Sequence, residues 1–489
     1  MRPRLLLLVC ASLAIACWPI STSSQELSPA EIGVLAVAFA IVLAVQCGFA
    51  WLTCRYGGRY ADPLADALLV TFVTANAYYF AFLTIEAHWQ VRAFYGLLIG
   101  VAAGVLQRTA VKPMRIALFT AVFVALALGQ YAYGRMLPPG GAEASASDAI
   151  PVRSKTNVYM ISIESLHSPY AFRRLYGITR LPHVDYLKAE GFRVFDEAYS
   201  ADMDTRSSYQ RILGFSKFLS TPQEMRSVFR VGNATFDSFK KSGYGVQFIY
   251  VSNYLDVNHN LIDYGYPAVG FYICDHLPGA FYYFVCRAPV RKFINRALFD
   301  TDGAVEVDQE LAQLTERIQA AAADTKPWLT ISHINYPGHS GHVHRYDSAA
   351  DVAGFREGVP LVLPAVADHY RQIVSTIKTL DPHAVIVTFG DHGMWLTRGM
   401  DGAVSNALFS AQDYIQDRFG VMLAVYPADF CRNRIFEGSS TTTIVKSIIA
   451  CLDGNDAPTA EERARSRSVT YKGALHSVDS IGVETSATR

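Results

Sequence analysis

Three places in the chain carry side chains suited to holding a divalent cation. Glu164 closes the run NVYMISIES, residues 157–165. A histidine-rich stretch, HINYPGHSGHVHRY, starts at His333 and includes His339 and His342. Asp391 and His392 close the run AVIVTFGDHG. Carboxylate and imidazole arriving together suit Zn²⁺ or Mn²⁺, and a cation so held is a Lewis acid. The same residue types have ordinary uses as well: strand-end acids cap helices, and an Asp-His pair is often structural.

Such residues act together only if the fold brings them together. NVYMISIES is an almost continuous apolar run and predicts a buried parallel strand. LPHVDYLKAEGF (181–192) predicts a helix stopped by Gly191, with RVFDEAYS following as a strand. SSYQRILGF (207–215) predicts the start of a helix. ATFDSFKKSGYGVQFIYVSN predicts a helix, a glycine stop and a strand. VEVDQELAQLTERIQAAAADTKPWLTISHIN predicts a long helix and a strand, and AVADHYRQIVSTIKTLDPHAVIVTFG repeats the unit. FGVMLAVYP predicts one more strand. The alternation indicates an α/β domain with a mostly parallel central sheet. Ligands of such sheets bind beyond the carboxyl ends of the strands, where all three places lie.

Ahead of this domain the composition changes. The 489 residues carry 43 Lys/Arg and 43 Asp/Glu, are 51% hydrophobic and have a mean hydropathy of +0.17. Residues 1–150 hold only 16 of those charges. This excludes a disordered chain, a nucleic-acid-binding polycation and a disulfide miniprotein. Apolar runs at 5–21, 31–53, 65–85, 93–107 and 115–134 predict an α-helical bundle of about five membrane spans over residues 1–135. Arg2, Arg4, Arg55, Arg59, Arg108, Lys112 and Arg115 fall on one side, against Arg92 and Arg135 on the other. Positive charge stays inside, so residues from 136 onward are outside. The first run also reads as a cleaved signal peptide, which leaves that topology unchanged. Residues 136–155, rich in Pro, Gly, Ala and Ser, predict a linker, and 156–489 the outer domain. Four cysteines lie in that domain, where disulfides are allowed; proximity favours Cys274–Cys286 and Cys431–Cys451 among three connectivities.

The domain resembles the alkaline phosphatase/sulfatase superfamily. Within it, the chain resembles the membrane-anchored phosphoethanolamine and phosphoglycerol transferases, including lipoteichoic-acid synthases. The resemblance is carried over roughly residues 155–455 by NVYMISIES, LPHVDYLKAEGFRVFDEAYS, DMDTRSSYQ, NYPGHSGHVHRY and FGDHG. It implies a sulfatase-like fold on the periplasmic side of a bacterial inner membrane. It implies Glu164, Thr205, Asp391 and His392 as metal ligands and Thr205 as nucleophile. The chemistry is sound, because coordination favours the alkoxide of a threonine and offsets phosphate charge; the ordinary alternative is Thr205 as a helix N-cap. His339 best matches a substrate-side histidine that protonates the leaving alcohol or holds phosphate, with His342 or His333 next. Trp395 and Arg398, just beyond the metal pair, are further substrate-binding candidates.

The implied reaction transfers a phospho-head-group from a phospholipid donor to an envelope acceptor, such as lipid A, a glycan or a teichoic-type polymer, through a phospho-threonine intermediate. One Zn²⁺ or Mn²⁺ ion is implied. A second is in doubt, since MWLTRGMDGAVSNALF contains no histidine. A monomer with no nucleic-acid partner is expected. Formylglycine sulfatase chemistry is disfavoured, because the nucleophile position reads DTRSS and no cysteine falls between Cys54 and Cys274. A phosphodiesterase of the same superfamily and a non-enzymatic lipid-binding regulator are the alternative readings.

Overall fold

The computed structural model describes residues 149–215, 228–229, 232–250, 255, 257, 261–266, 307–337, 349–397, 409–471 and 474–478. All belong to one compact unit, Gly140–Ala268 with Val305–Arg489. The expected spans, most of the linker, Cys274–Cys286, His339, His342 and Arg398 lie outside the described residues. Among the described residues no helix is long and apolar enough to cross a membrane.

The strands of the main sheet are β1 (Val158–Ile163), β2 (Arg193–Val194), β3 (Gly245–Tyr250), β4 (Tyr264–Tyr266), β5 (Trp328–Ile334), β6 (Val385–Gly390) and β7 (Leu423–Tyr426), and Ser468–Tyr471 pairs with Ala474–Ser477 apart from it. The main sheet has the order β2-β7-β6-β1-β5-β3-β4. From β6 to β4 the pairs are parallel, while β7 runs antiparallel to β6 and β2 antiparallel to β7. Every residue of β1 is buried. That is what an unbroken apolar strand requires, since both of its faces must be covered. The helices that cover them are α1 (Pro182–Ala189), α2 (Thr205–Leu213), α3 (Ala234–Lys241), α4 (Val307–Ala323), α5 (Ala349–Leu380) and, beyond α6 (Ala411–Phe419), which packs with Tyr199 and Val469 instead, α7 (Ile444–Leu452).

Side chains of β1 alternate between two cores. Val158 and Met160 join Tyr209 and Ile212 of α2, Phe236 and Phe239 of α3, and Ile448 of α7. Tyr159, Ile161 and Ile163 join Leu187 of α1, Leu314 of α4, and Val366 and Ile373 of α5. The result is helix–sheet–helix layering with β1 at its centre. Ile163 pairs with Ile334 of β5 on one side and with Gly390 of β6 on the other. Glu164, Asn335 and Asp391 therefore leave the sheet side by side.

Three elements differ from their expected extents. RVFDEAYS pairs as a strand only at Arg193–Val194, after which the chain turns to bridge Gly420 and Ser440 at Tyr199. The helix expected from Ser207 begins at Thr205, because Asp204 is its N-cap and accepts a hydrogen bond from Ser207 N at 2.9 Å. Helix α5 starts well before its expected segment and runs through Pro360 and Pro364. Each proline removes a helical donor, but both are exposed while Val359, Leu363 and Val366 beside them are buried, so packing holds the helix. Part of the expected linker is docked: Ile150 N and Val152 N donate to Ser238 and Ser242 of the α3 segment at 2.8 and 2.7 Å. The disulfide Cys431–Cys451 is formed, with a Cα–Cα distance of 5.4 Å.

Candidate metal centre

The centre begins where β1 ends. Glu164 N still donates to Ile334 O of β5 at 2.9 Å, so this residue is fixed by the sheet. Ser165 then turns sharply, with φ of 58°, a conformation uncommon outside glycine. Its N–H donates to Asp391 Oδ1 at 2.9 Å, joining the two strand ends. Gly390 makes the approach possible: a Cβ there would stand 2.2 Å from Leu166 O.

Four side chains converge at this edge, all buried: Glu164, Thr205, Asp391 and His392. His392 Nδ1–H donates to Gly393 O at 2.8 Å, which leaves Nε2 facing the cluster. That nitrogen lies 3.3 Å from Glu164 Oε1, 3.3 Å from Asp391 Oδ2 and 3.1 Å from Thr205 Oγ1. Thr205 Oγ1 donates to Glu164 Oε2 at 3.3 Å. Asp391 Oδ2 is buried with no hydrogen-bond partner. One ligand atom each from Glu164, Asp391 and His392 lies within 4.8 Å of the others.

The electrostatics follow from crowding two carboxylates out of water. Burial opposes the charge on Glu164, but His333 and His392 outweigh it and hold its carboxyl well below the ordinary value. Burial, then the charge of Glu164, pushes Asp391 up. Burial opposes protonation of His392, yet Asp391 and Glu164 overcome it and push the imidazole up to about 10. The cluster therefore holds a proton where a cation is electrostatically favoured. Two carboxylates, one with a buried oxygen that has no hydrogen bond, an imidazole Nε2 and a hydroxyl fit a divalent ion such as Zn²⁺. Cys431, Cys451 and Asp456 also cluster, but the disulfide removes both thiolates as ligands.

His333 is placed differently from its expected substrate-side position. It is fully buried on β5 behind Glu164, with Nε2 2.8 Å from Glu164 Oε2. Its Nδ1 hydrogen-bonds Ser162 Oγ at 2.7 Å, and that hydroxyl meets Tyr209 OH at 2.7 Å. The chain Tyr209–Ser162–His333 therefore fixes the Glu164 carboxylate from below, as outer partners of ligands do. The cause is strand alternation: Ser162 and His333 are paired neighbours on β1 and β5.

Trp395 serves as a tie. It has φ of 63°, its ring centroid lies 5.7 Å from that of His392, and its Nε1 donates to Met203 O at 2.9 Å. It thus joins the His392 turn to the loop that delivers Thr205. Thr205 occupies the first position of α2, not the N-cap, so its hydroxyl is free to face Glu164 and His392. Sequence reasoning missed Ser162 and Tyr209. Both lie inside the quoted runs, NVYMISIES and DMDTRSSYQ, but nothing local marks them as partners of His333.

No protein-family model and no curated protein matches the chain. Solved structures do. The chain is similar to the C-terminal periplasmic domain of EcEptC from Escherichia coli in complex with Zn, at 13% identity and a TM-score of 0.42, covering 68% of this chain and 97% of that one. It is similar to the soluble domain of lipooligosaccharide phosphoethanolamine transferase A from Neisseria meningitidis, at 12% identity and a TM-score of 0.39, covering 63% and 92%. It is also similar to a protein in the alkaline phosphatase superfamily from Vibrio parahaemolyticus, at 16% identity and a TM-score of 0.40, covering 66% and 75%. At such distances the chemistry rests on Glu164, Thr205, Asp391 and His392 themselves.

Proposed function

We propose that this protein is a metal-dependent phospho-group transferase. In this reading it moves a phosphoglycerol or phosphoethanolamine head group from a membrane phospholipid to an envelope glycan or lipid. The observation that carries the reading is the meeting of Thr205 Oγ1 with Glu164 and His392 beside Asp391 Oδ2, a buried oxygen with no hydrogen bond. When bound by these four residues, a divalent cation lowers the pKa of the Thr205 hydroxyl and offsets phosphate charge.

The chain's own groups do the rest. The hydrogen bond to Glu164 Oε2 directs the Thr205 proton away from the lone pair that attacks phosphorus. The Oγ1–P bond forms as the Thr205 hydroxyl gives up its proton, the bond from phosphorus to the diacylglycerol oxygen breaks, and that oxygen takes up a proton as diacylglycerol leaves. The acceptor hydroxyl then attacks the same phosphorus and gives up its proton, while Thr205 Oγ1 departs and takes one up, restoring the starting hydroxyl. Thr205 stands at the N-terminus of α2, where the helix dipole favours both the alkoxide and the phosphate. A membrane anchor raises the local concentration of lipid donor at the site.

The test is lipid and glycan mass spectrometry of cells carrying the wild type or Thr205→Ala. The expected result is an envelope species bearing the added head group in the wild type only. Unchanged modification with the alanine variant overturns the assignment.

A further inference from the structure

The turn that carries His392 is built largely by a helix remote from it in sequence. Helix α6 ends at Phe419, and two residues near that end hold the turn. Asp417 Oδ1 accepts Leu396 N at 2.7 Å, while Oδ2 accepts Thr397 N at 2.8 Å and Thr397 Oγ1 at 2.6 Å. The carbonyl of Arg418 accepts Gly393 N at 3.1 Å, and its guanidinium lies 5.0 Å from the centre of the Trp395 ring. Asp417 is fully buried, so it was taken from water to make these bonds.

The same helix end reaches the exit of β1 through His167, which is also fully buried. Its Nδ1 donates to Gly420 O at 2.7 Å, and its Nε2 accepts Met394 N at 3.2 Å. Nε2 also lies 3.7 Å from Asp417 Oδ1. Met394 and Leu396 flank Trp395, the left-handed residue of the turn. The backbone is therefore held on both sides of its least favourable conformation.

We propose that Asp417 is a positioning residue of the metal centre. Its carboxylate, with His167, clamps the turn Gly393–Thr397 so that His392 Nε2 and the Trp395 tie to the Thr205 loop are pre-set for the ion and nucleophile. Asp417 touches neither substrate nor ligand side chain; it acts through the backbone of the turn. The proposal rests on the metal-centre reading above and adds to it the device that keeps the centre in register.

The experiment compares full-length wild type, Asp417→Asn and Thr397→Val. Zn²⁺ affinity is measured by titration of the metal-stripped proteins. Head-group release from labelled phosphatidylglycerol or phosphatidylethanolamine vesicles supplies kcat and KM. Asn puts an N–H group against backbone donors, so Asp417→Asn should weaken Zn²⁺ binding at least about tenfold and lower kcat with KM little changed. Thr397→Val deletes one hydrogen bond and should do the same to a smaller degree. Wild-type affinity and kcat in folded Asp417→Asn, with only its melting temperature lowered, overturn the proposal. If Asp417→Asn does not fold, Thr397→Val decides: weakened Zn²⁺ binding supports the clamp and unchanged binding overturns it. A wild type that takes up no Zn²⁺ overturns the centre itself, and the clamp with it.

Discussion

Gly393→Ala is a single methyl group added where the structure has no room for it. The new Cβ would stand 1.8 Å from Asp417 O and 2.8 Å from His167 Cε1. The first obstacle is backbone, and the second belongs to a buried ring held at both nitrogens. Neither can rotate away, so the turn itself must move by about 1 Å, a displacement that typically costs on the order of 100-fold in rate. Overpacking of this kind also costs about 1–3 kcal/mol of stability. Gly354→Ala in α5 is the control, because no atom lies within 4 Å of its new Cβ. That variant should be stabilised by up to about 1 kcal/mol, as alanine replaces glycine inside a helix. The assays are denaturant melts, Zn²⁺ titration and head-group release. A Gly393→Ala protein with unchanged stability, metal affinity and turnover would refute the packing argument.

Other consequences are open to simple measurements. Glu310 is fully buried, its carboxyl oxygens are without side-chain partners, and burial pushes it well above the ordinary value. The raised group stabilises the fold below about pH 4.5 and loses that contribution as pH climbs towards the folded value. The stability advantage of Glu310→Gln should therefore grow as pH rises above about 4.5; denaturant melts at a series of pH values from about 5 upward check this. With His392 pushed up to about 10, an incoming ion must displace its proton. Apparent Zn²⁺ affinity should rise about tenfold per unit between pH 6 and 9, with proton release seen by calorimetry in two buffers. Replacing Cys431 and Cys451, 20 residues apart, by serine should cost about 3 kcal/mol, read from the shift in denaturation midpoint.

Much of the centre was legible before the fold was seen, and the reason is topological. Glu164 and Asp391-His392 each end an apolar run, and such runs become adjacent parallel strands. The strand-end rule then gathers their ends, and the pairing of Ile163 with both Ile334 and Gly390 completes the convergence. Placing Thr205 needed the resemblance, since one threonine before a helix reads as readily as a cap. What stayed hidden depends on distant partners. Asp417 looks like any acid of an amphipathic helix, and its bonds to Leu396 and Thr397 cross 20 or more residues. His333 looked available beside Gly, Ser and Pro, yet strand pairing with Ser162 buries it. Local propensity also misjudged α5, where buried Val359 and Leu363 override two prolines.

The central claim is that Thr205 becomes covalently phosphorylated by the lipid head group. The most direct measurement is peptide mass spectrometry of the full-length protein mixed with phosphatidylglycerol or phosphatidylethanolamine vesicles and quenched with acid. The account predicts a phosphoglycerol or phosphoethanolamine adduct on Thr205, absent from Thr205→Ala and from metal-stripped protein. Head-group release without any adduct on Thr205, or an equal rate of release from Thr205→Ala, would contradict it.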